Sequence, residues 1–283
     1  MPPLEYDPSR AALLSPGRRE TLFESGTVYS PLQLAIEAAR LAYIHAEESA
    51  AERARLADAL ARAGFGEPRL FLDPPTGTEA FGAFRRDDRL ALLCFRGTEP
   101  DRLSDLATDL KAHPVTWFES AGRVHAGFAH AARAVLPQAR DWLAGDAAGR
   151  DALLLAGHSL GAALATLAAS VLHPTFLFTI GSPRVGDAAF AATVAAVDGA
   201  RIVDCCDAIT RVPPSLSVYA HIRAATYINR DGVALQSPDP DTIAADRKRA
   251  RAEYLRTHAL QAGAVLVRDL ADHAPINYAR AFF

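Results

Sequence analysis

The sequence predicts an α/β fold with a mostly parallel central sheet and helices on both faces, and three observations carry that expectation. Short apolar runs alternate with Ala-rich helical stretches across residues 90–228, the pattern of strands joined by crossover helices. Within that stretch Ala152-Leu153-Leu154-Leu155-Ala156 leads into Gly157-His158-Ser159-Leu160-Gly161 and then into Ala162-Ala163-Leu164-Ala165, a buried strand, a tight turn and a small-residue helix. With 283 residues, half of them hydrophobic and 22% charged, the chain is long enough to bury a large core.

Taken in order, residues 1–20 carry prolines and charges with little periodicity, and read as a loose N-terminal arm. Residues 21–283 contain no convincing linker and read as one domain. Ser30-Pro31 opens a helix expected over 31–63, with Leu34, Leu41 and Ile44 at helical spacing and Gly64 and Gly66 as its stop. Strands are expected at 80–85 and 90–95, joined as a hairpin by a charged turn. Helices follow at 103–111 and 126–143, then the strand and helix around Ser159. Further strands fall at 175–180, 201–206 and 224–228, with a helix at 188–197. Residues 160–180 are apolar over the length of a membrane span, but His173-Pro174 divides them into a helical and a strand half.

The net charge of −3 offers no basic face for nucleic acid. Three cysteines, two of them adjacent, do not make a stapled scaffold, and no CxxC or HExxH pattern is present, so no metal and no cofactor is expected. Unpaired thiols and the lack of a basic, then apolar, leader at the first residues point to the cytoplasm, with signal-independent export as the alternative.

The chemistry centres on Ser159. A Gly-x-Ser-x-Gly turn between strand and helix holds the serine in a strained backbone conformation and points free helix N–H groups at it. A serine hydroxyl needs a base, oriented by a carboxylate, and donors for the oxyanion. In a strand–helix alternation the acid belongs just past a strand end, which favours Asp207 over Asp204 inside the strand. Of the histidines after Ser159, His173 ends a helix and His258 lies in a charged helical stretch. His221 and His273 both sit in loop contexts, and the chain order serine, acid, histidine favours the later one, His273.

Several segments together resemble the class 3 lipase family of α/β-hydrolases. They are Phe95-Arg96-Gly97-Thr98-Glu99, Val124-His125-Ala126-Gly127-Phe128, Gly157 to Gly161, Gly181-Ser182-Pro183-Arg184-Val185-Gly186-Asp187, Asp207 to Pro213, and His273 with Tyr278. The resemblance covers residues 80–280. It implies that Thr98 and Leu160 supply the oxyanion N–H groups, a pair consistent with Gly97 letting the backbone beside Thr98 approach the turn. It also implies a lid between Thr98 and Val124, where Leu103, Leu106 and Leu110 share a helical face and Trp117-Phe118 follow. Those five residues are candidates to cover or line an acyl groove, the alternative being a core helix. Residues 237–260, with Arg247, Lys248, Arg249 and Arg251, read as a solvated helix rather than a second, lipid-touching cap. His158 is expected to pack beside the turn.

The function expected is a serine carboxylic-ester hydrolase acting on acylglycerol-type lipid esters through an acyl-serine, with transient contact to a lipid surface. A phospholipase A1 or acyltransferase with the same triad is the first alternative, and a catalytically silent binding protein the second.

Overall fold

The computed structural model describes residues 4–98, 113–214 and 218–283. Eight strands form one sheet: β1 (Arg69–Asp73), β2 (Thr78–Arg85), β3 (Leu90–Phe95), β6 (Ala152–His158), β7 (Phe176–Ile180), β8 (Asp198–Asp204), β9 (Ala225–Ile228) and β10 (Ala234–Gln236), in that spatial order. The pairs from β3 through β9 are parallel, while β1, β2 and β10 add antiparallel edges. The small β4 (Pro114–Thr116) and β5 (Arg123–His125) make a separate hairpin. β3 and the body of β6 are buried almost throughout, as continuous apolar runs require when both faces of a sheet are covered.

Helices α4 (Ala126–Ala144), α5 (Leu160–Leu172) and α6 (Ala188–Val194) cover one face, as right-handed crossovers between successive parallel strands demand. Helix α2 (Pro31–Leu41) lies on the other face against β6 and β7, packed with the C-terminal α9 (Pro275–Ala279). Among the described residues no helix is long and apolar enough to cross a membrane.

Three sequence expectations change. The helix expected over 31–63 is two helices, α2 and α3 (Ala50–Arg62), because the Ser49 hydroxyl accepts from the Glu52 N–H and starts a new helix. Strands β1 and β10 were not expected. The N-terminal residues are not a loose arm. Ser9 caps α1 (Arg10–Leu14), the Pro8 carbonyl accepts from Val265, and the Arg10 N–H donates to Gly263. Farther along, the buried Arg40 guanidinium, paired with Glu37 at 2.6 Å, donates to the carbonyls of Pro16, Arg19 and Glu20. Buried backbone groups need partners, and this arm finds them on the body of the protein.

Candidate active site

The carboxyl ends of β3, β6, β7 and β8 converge on one edge of the sheet, the place where loops of a parallel α/β sheet carry their chemistry. Ser159 stands at the end of β6 as the N-cap of α5, with φ 57° and ψ −126°. A serine in that region is strained, and it persists only because its surroundings leave no alternative. A Cβ on Gly157 would lie 2.3 Å from the Gly161 carbonyl carbon, and one on Gly161 would lie 2.1 Å from the Phe95 carbonyl oxygen. Both glycines are therefore set by close approach of strand and helix.

The structure brings three of the expected residues together. The Ser159 Oγ is 2.9 Å from His273 Nε2, and His273 Nδ1 is 2.8 Å from Asp207 Oδ2. All three are buried. A carboxylate only accepts, so Nδ1 carries the proton and Nε2 is left to accept from the serine hydroxyl. Asp207 lies one turn beyond the end of β8, its N–H donating to the Asp204 carbonyl. Its other oxygen accepts from the Ile209 N–H at 2.8 Å, and Oδ2 also accepts a short hydrogen bond from the Tyr278 hydroxyl. Burial, then the charges of Asp207 and Asp204, push the Tyr278 hydroxyl well above its usual range, so it remains a donor. Asp204 points elsewhere, to Arg280 at 3.2 Å.

Thr98 follows β3, half-buried, and its Oγ1 is shielded from solvent with no protein partner among the described residues. A Cβ on Gly97 would lie 2.7 Å from the His158 carbonyl oxygen and 2.1 Å from the Tyr43 hydroxyl, so this strand end is pressed against the turn. Leu160 is the first residue of α5, where the N–H has no acceptor within the helix. A cavity of about 10 Å³, lined by Leu13, Pro16, Tyr43, Thr98, His158, His273 and Pro275, adjoins these groups. Leu13, Pro16 and Tyr43 were not singled out in the sequence. Nothing local marks them, since only the folding of the N-terminal segment and the end of α2 onto the turn brings them here.

His158 does pack beside the turn, its ring centroid 4.5 Å from that of His273 and its Nδ1 2.8 Å from the Tyr43 hydroxyl. Burial, and then the nearby His273, hold it well below its ordinary value near 6.5, so it is neutral in the folded protein. The unfolded chain takes up a proton on this residue below about pH 6.5 and the folded one does not, so this group's contribution to stability falls as pH falls. Relative to His158→Asn, the wild type is expected to lose about 1.4 kcal/mol per pH unit below that point. Urea unfolding of both proteins at neutral and mildly acidic pH measures this; a difference that stays constant would show that His158 protonates in the folded state.

The other candidates lie apart. His221 is pushed down to about 3 by burial and by Arg201 and Arg184, and the imidazole on the Ser159 hydroxyl is that of His273. Trp117, expected with the lid or groove, is a core residue instead: it is 1% exposed, its indole N–H donates to Ser170 Oγ at 2.9 Å, and the Arg133 guanidinium sits 5.0 Å above its ring. Phe118 next to it is 86% exposed and does not line the cavity. Leu103, Leu106 and Leu110 lie outside the described residues. Arg184 fastens the loop after Asp207 by donating to the carbonyls of Arg211 and Pro213 at 2.7 and 2.6 Å.

Comparison with known proteins bears on this geometry. The family described as Lipase (class 3) matches residues 92–217. "Secreted mono- and diacylglycerol lipase 1" of Fusarium solani is 43% identical over 74 residues, which cover 24% of this chain and 22% of that protein. The match thus spans about a fifth of the curated relative. The Rhizomucor miehei lipase propeptide complex superposes with a TM-score of 0.57 at 22% identity, covering 80% of this chain and 82% of that one. The lipase of Rhizopus microsporus var. chinensis gives 0.58 at 23% identity, covering 85% of each. These likenesses establish the fold.

The Fusarium solani relative is a secreted protein, and that finding overturns the cytoplasmic expectation. Cys94, Cys205 and Cys206 are all free and fully buried, and a small buried thiol packs as a hydrophobe, so these three residues do not report the compartment. The fold, the Gly-x-Ser-x-Gly turn and the family match agree, and residues 92–217 of the chain are similar to the class 3 lipase family.

Proposed function

We propose that this protein is an extracellular serine carboxylic-ester hydrolase that cleaves acylglycerol-type lipid esters through an acyl-serine intermediate. The observation that supports it most is the unbroken chain from Ser159 through His273 to Asp207, with the serine held at φ 57°. In this reading His273 Nε2 takes the serine proton as Oγ attacks the ester carbonyl, and Asp207 holds the imidazole and favours its charged form. The N–H groups of Thr98 and Leu160 receive the oxyanion, each such donor being worth roughly 2.7–4 kcal/mol. His273 then returns the proton to the leaving alcohol, and water hydrolyses the acyl-enzyme by the same steps. The lipid nature of the substrate is supported by the family and by the mono- and diacylglycerol lipase relative. Contact with a lipid surface belongs to the same reading.

Intact-mass measurement after treatment with a long-chain alkyl phosphonate ester tests the assignment. One adduct per chain, mapped to Ser159 and absent from His273→Ala, is expected. An adduct elsewhere, or labelling that is indifferent to His273, would remove Ser159 as the activated nucleophile.

A further inference from the structure

We propose that Asp272 is a positioning residue for the reaction, a bracket that fixes the loop bearing Asp207 to the loop bearing His273; the inference rests on the hydrolase reading above. Asp272 immediately precedes His273 and is fully buried. Its Oδ2 accepts from the N–H of Cys206, the residue immediately before Asp207, at 2.8 Å. One carboxylate thus joins the chain neighbours of the base and of the acid, two segments 66 residues apart in sequence. Charge-assisted bonds of this kind are stronger than neutral ones, and here they are shielded from water.

The remaining contacts hold the bracket itself in place. Arg268 Nε lies 3.3 and 3.2 Å from the two carboxylate oxygens, and it is 6% exposed. The Tyr6 hydroxyl donates to Oδ1 at 2.8 Å, and the Tyr6 ring lies 5.0 Å from the Arg268 guanidinium and 4.8 Å from that of Arg280. The N-terminal segment therefore reaches the site through a side chain. Beside it, Asn277 is held to the Asp7 backbone in both directions, at 2.8 and 2.9 Å. A buried carboxylate fully occupied by donors from three separate segments is costly to assemble for packing alone. What it secures is the spacing of Asp207 and His273, and a misplacement of about 1 Å in such geometry lowers rate by about a hundredfold.

Asp272→Asn keeps the shape but removes the negative charge and one acceptor: with the amide oxygen on the Cys206 N–H, the N–H₂ faces the Tyr6 hydroxyl and the Arg268 Nε–H, so the charge-assisted contacts that hold the bracket are lost. Tyr6→Phe removes one donor and keeps the ring. Turnover of nitrophenyl butyrate is measured for each, with active sites titrated to completion by a phosphonate and Ser159→Ala in parallel. We expect kcat per titrated site to fall about ten- to a hundredfold in Asp272→Asn and a few-fold in Tyr6→Phe, with KM unchanged. A purely structural residue would instead lower the number of titratable sites and leave kcat per site at the wild-type value; that result overturns the inference. If Asp272→Asn does not fold, Tyr6→Phe decides, and a wild-type kcat per site there overturns it equally. Wild-type protein with no Ser159-dependent turnover would mark failure of the hydrolase reading itself.

Discussion

Ser159→Ala is expected to lower kcat for ester hydrolysis by about 10⁴–10⁶, with folding unaffected. Removing a triad serine discards the acyl-enzyme path altogether, and what survives is the modest catalysis an oxyanion site and bound water provide. Alanine also fits the space. Among the described residues the serine hydroxyl is hydrogen-bonded to His273 alone. The backbone strain at φ 57° persists with alanine, so stability should change little in either direction. Circular dichroism and thermal unfolding beside the kinetic assay separate lost chemistry from lost fold. A variant retaining more than about a hundredth of wild-type turnover would be incompatible with an acyl-serine mechanism.

Asp207→Asn is expected to cost about 10⁴ in kcat with little change in KM. The carboxylate now accepts from His273 Nδ1, from the Tyr278 hydroxyl and from the Ile209 N–H. An asparagine amide meets these donors with an acceptor on one side only. If its N–H₂ faces the imidazole, Nδ1 must accept, Nε2 then carries the proton, and the base is lost for Ser159. If its oxygen faces the imidazole, the N–H₂ opposes the Ile209 N–H, and the negative charge that favours the imidazolium is gone in either case. Steady-state kinetics over a pH series measure the effect. Activity near the wild-type level would show that Asp207 does not serve His273, and Asp204, held by Arg280, would have to be reconsidered.

The parts of the site that could be read in the sequence are those fixed by local backbone demands. Gly157 and Gly161 are legible because only a glycine survives contacts of 2.3 and 2.1 Å with neighbouring backbone. Asp207 is legible because carboxyl ends of strands carry loops, and the strand Asp198–Asp204 ends just before it. His273 is legible through chain order and through its spacing to Tyr278, one of the segments that carry the family resemblance.

What escaped was decided by contacts between distant segments. Tyr43 meets His158 across 115 residues and Tyr6 meets Asp272 across 266, and no periodicity encodes either pairing. Trp117 was expected with the lid or acyl groove because its partner, Ser170, is 53 residues away on α5 and no local pattern reports that contact. The break at Ser49 is a different kind of miss. The pattern Ser49-Ala50-Ala51-Glu52 was present as an N-cap signal, and a longer helical periodicity masked it. The N-terminal arm had too few apolar residues to suggest a packed segment, yet its backbone is secured by carbonyls and N–H groups that composition does not report.

The most direct test of the account is hydrolysis of nitrophenyl esters, from acetate to palmitate, by the wild-type protein. The account predicts turnover that extends to the long acyl chains and disappears with Ser159→Ala at every length. No turnover at any chain length, or turnover that Ser159→Ala leaves intact, would contradict it.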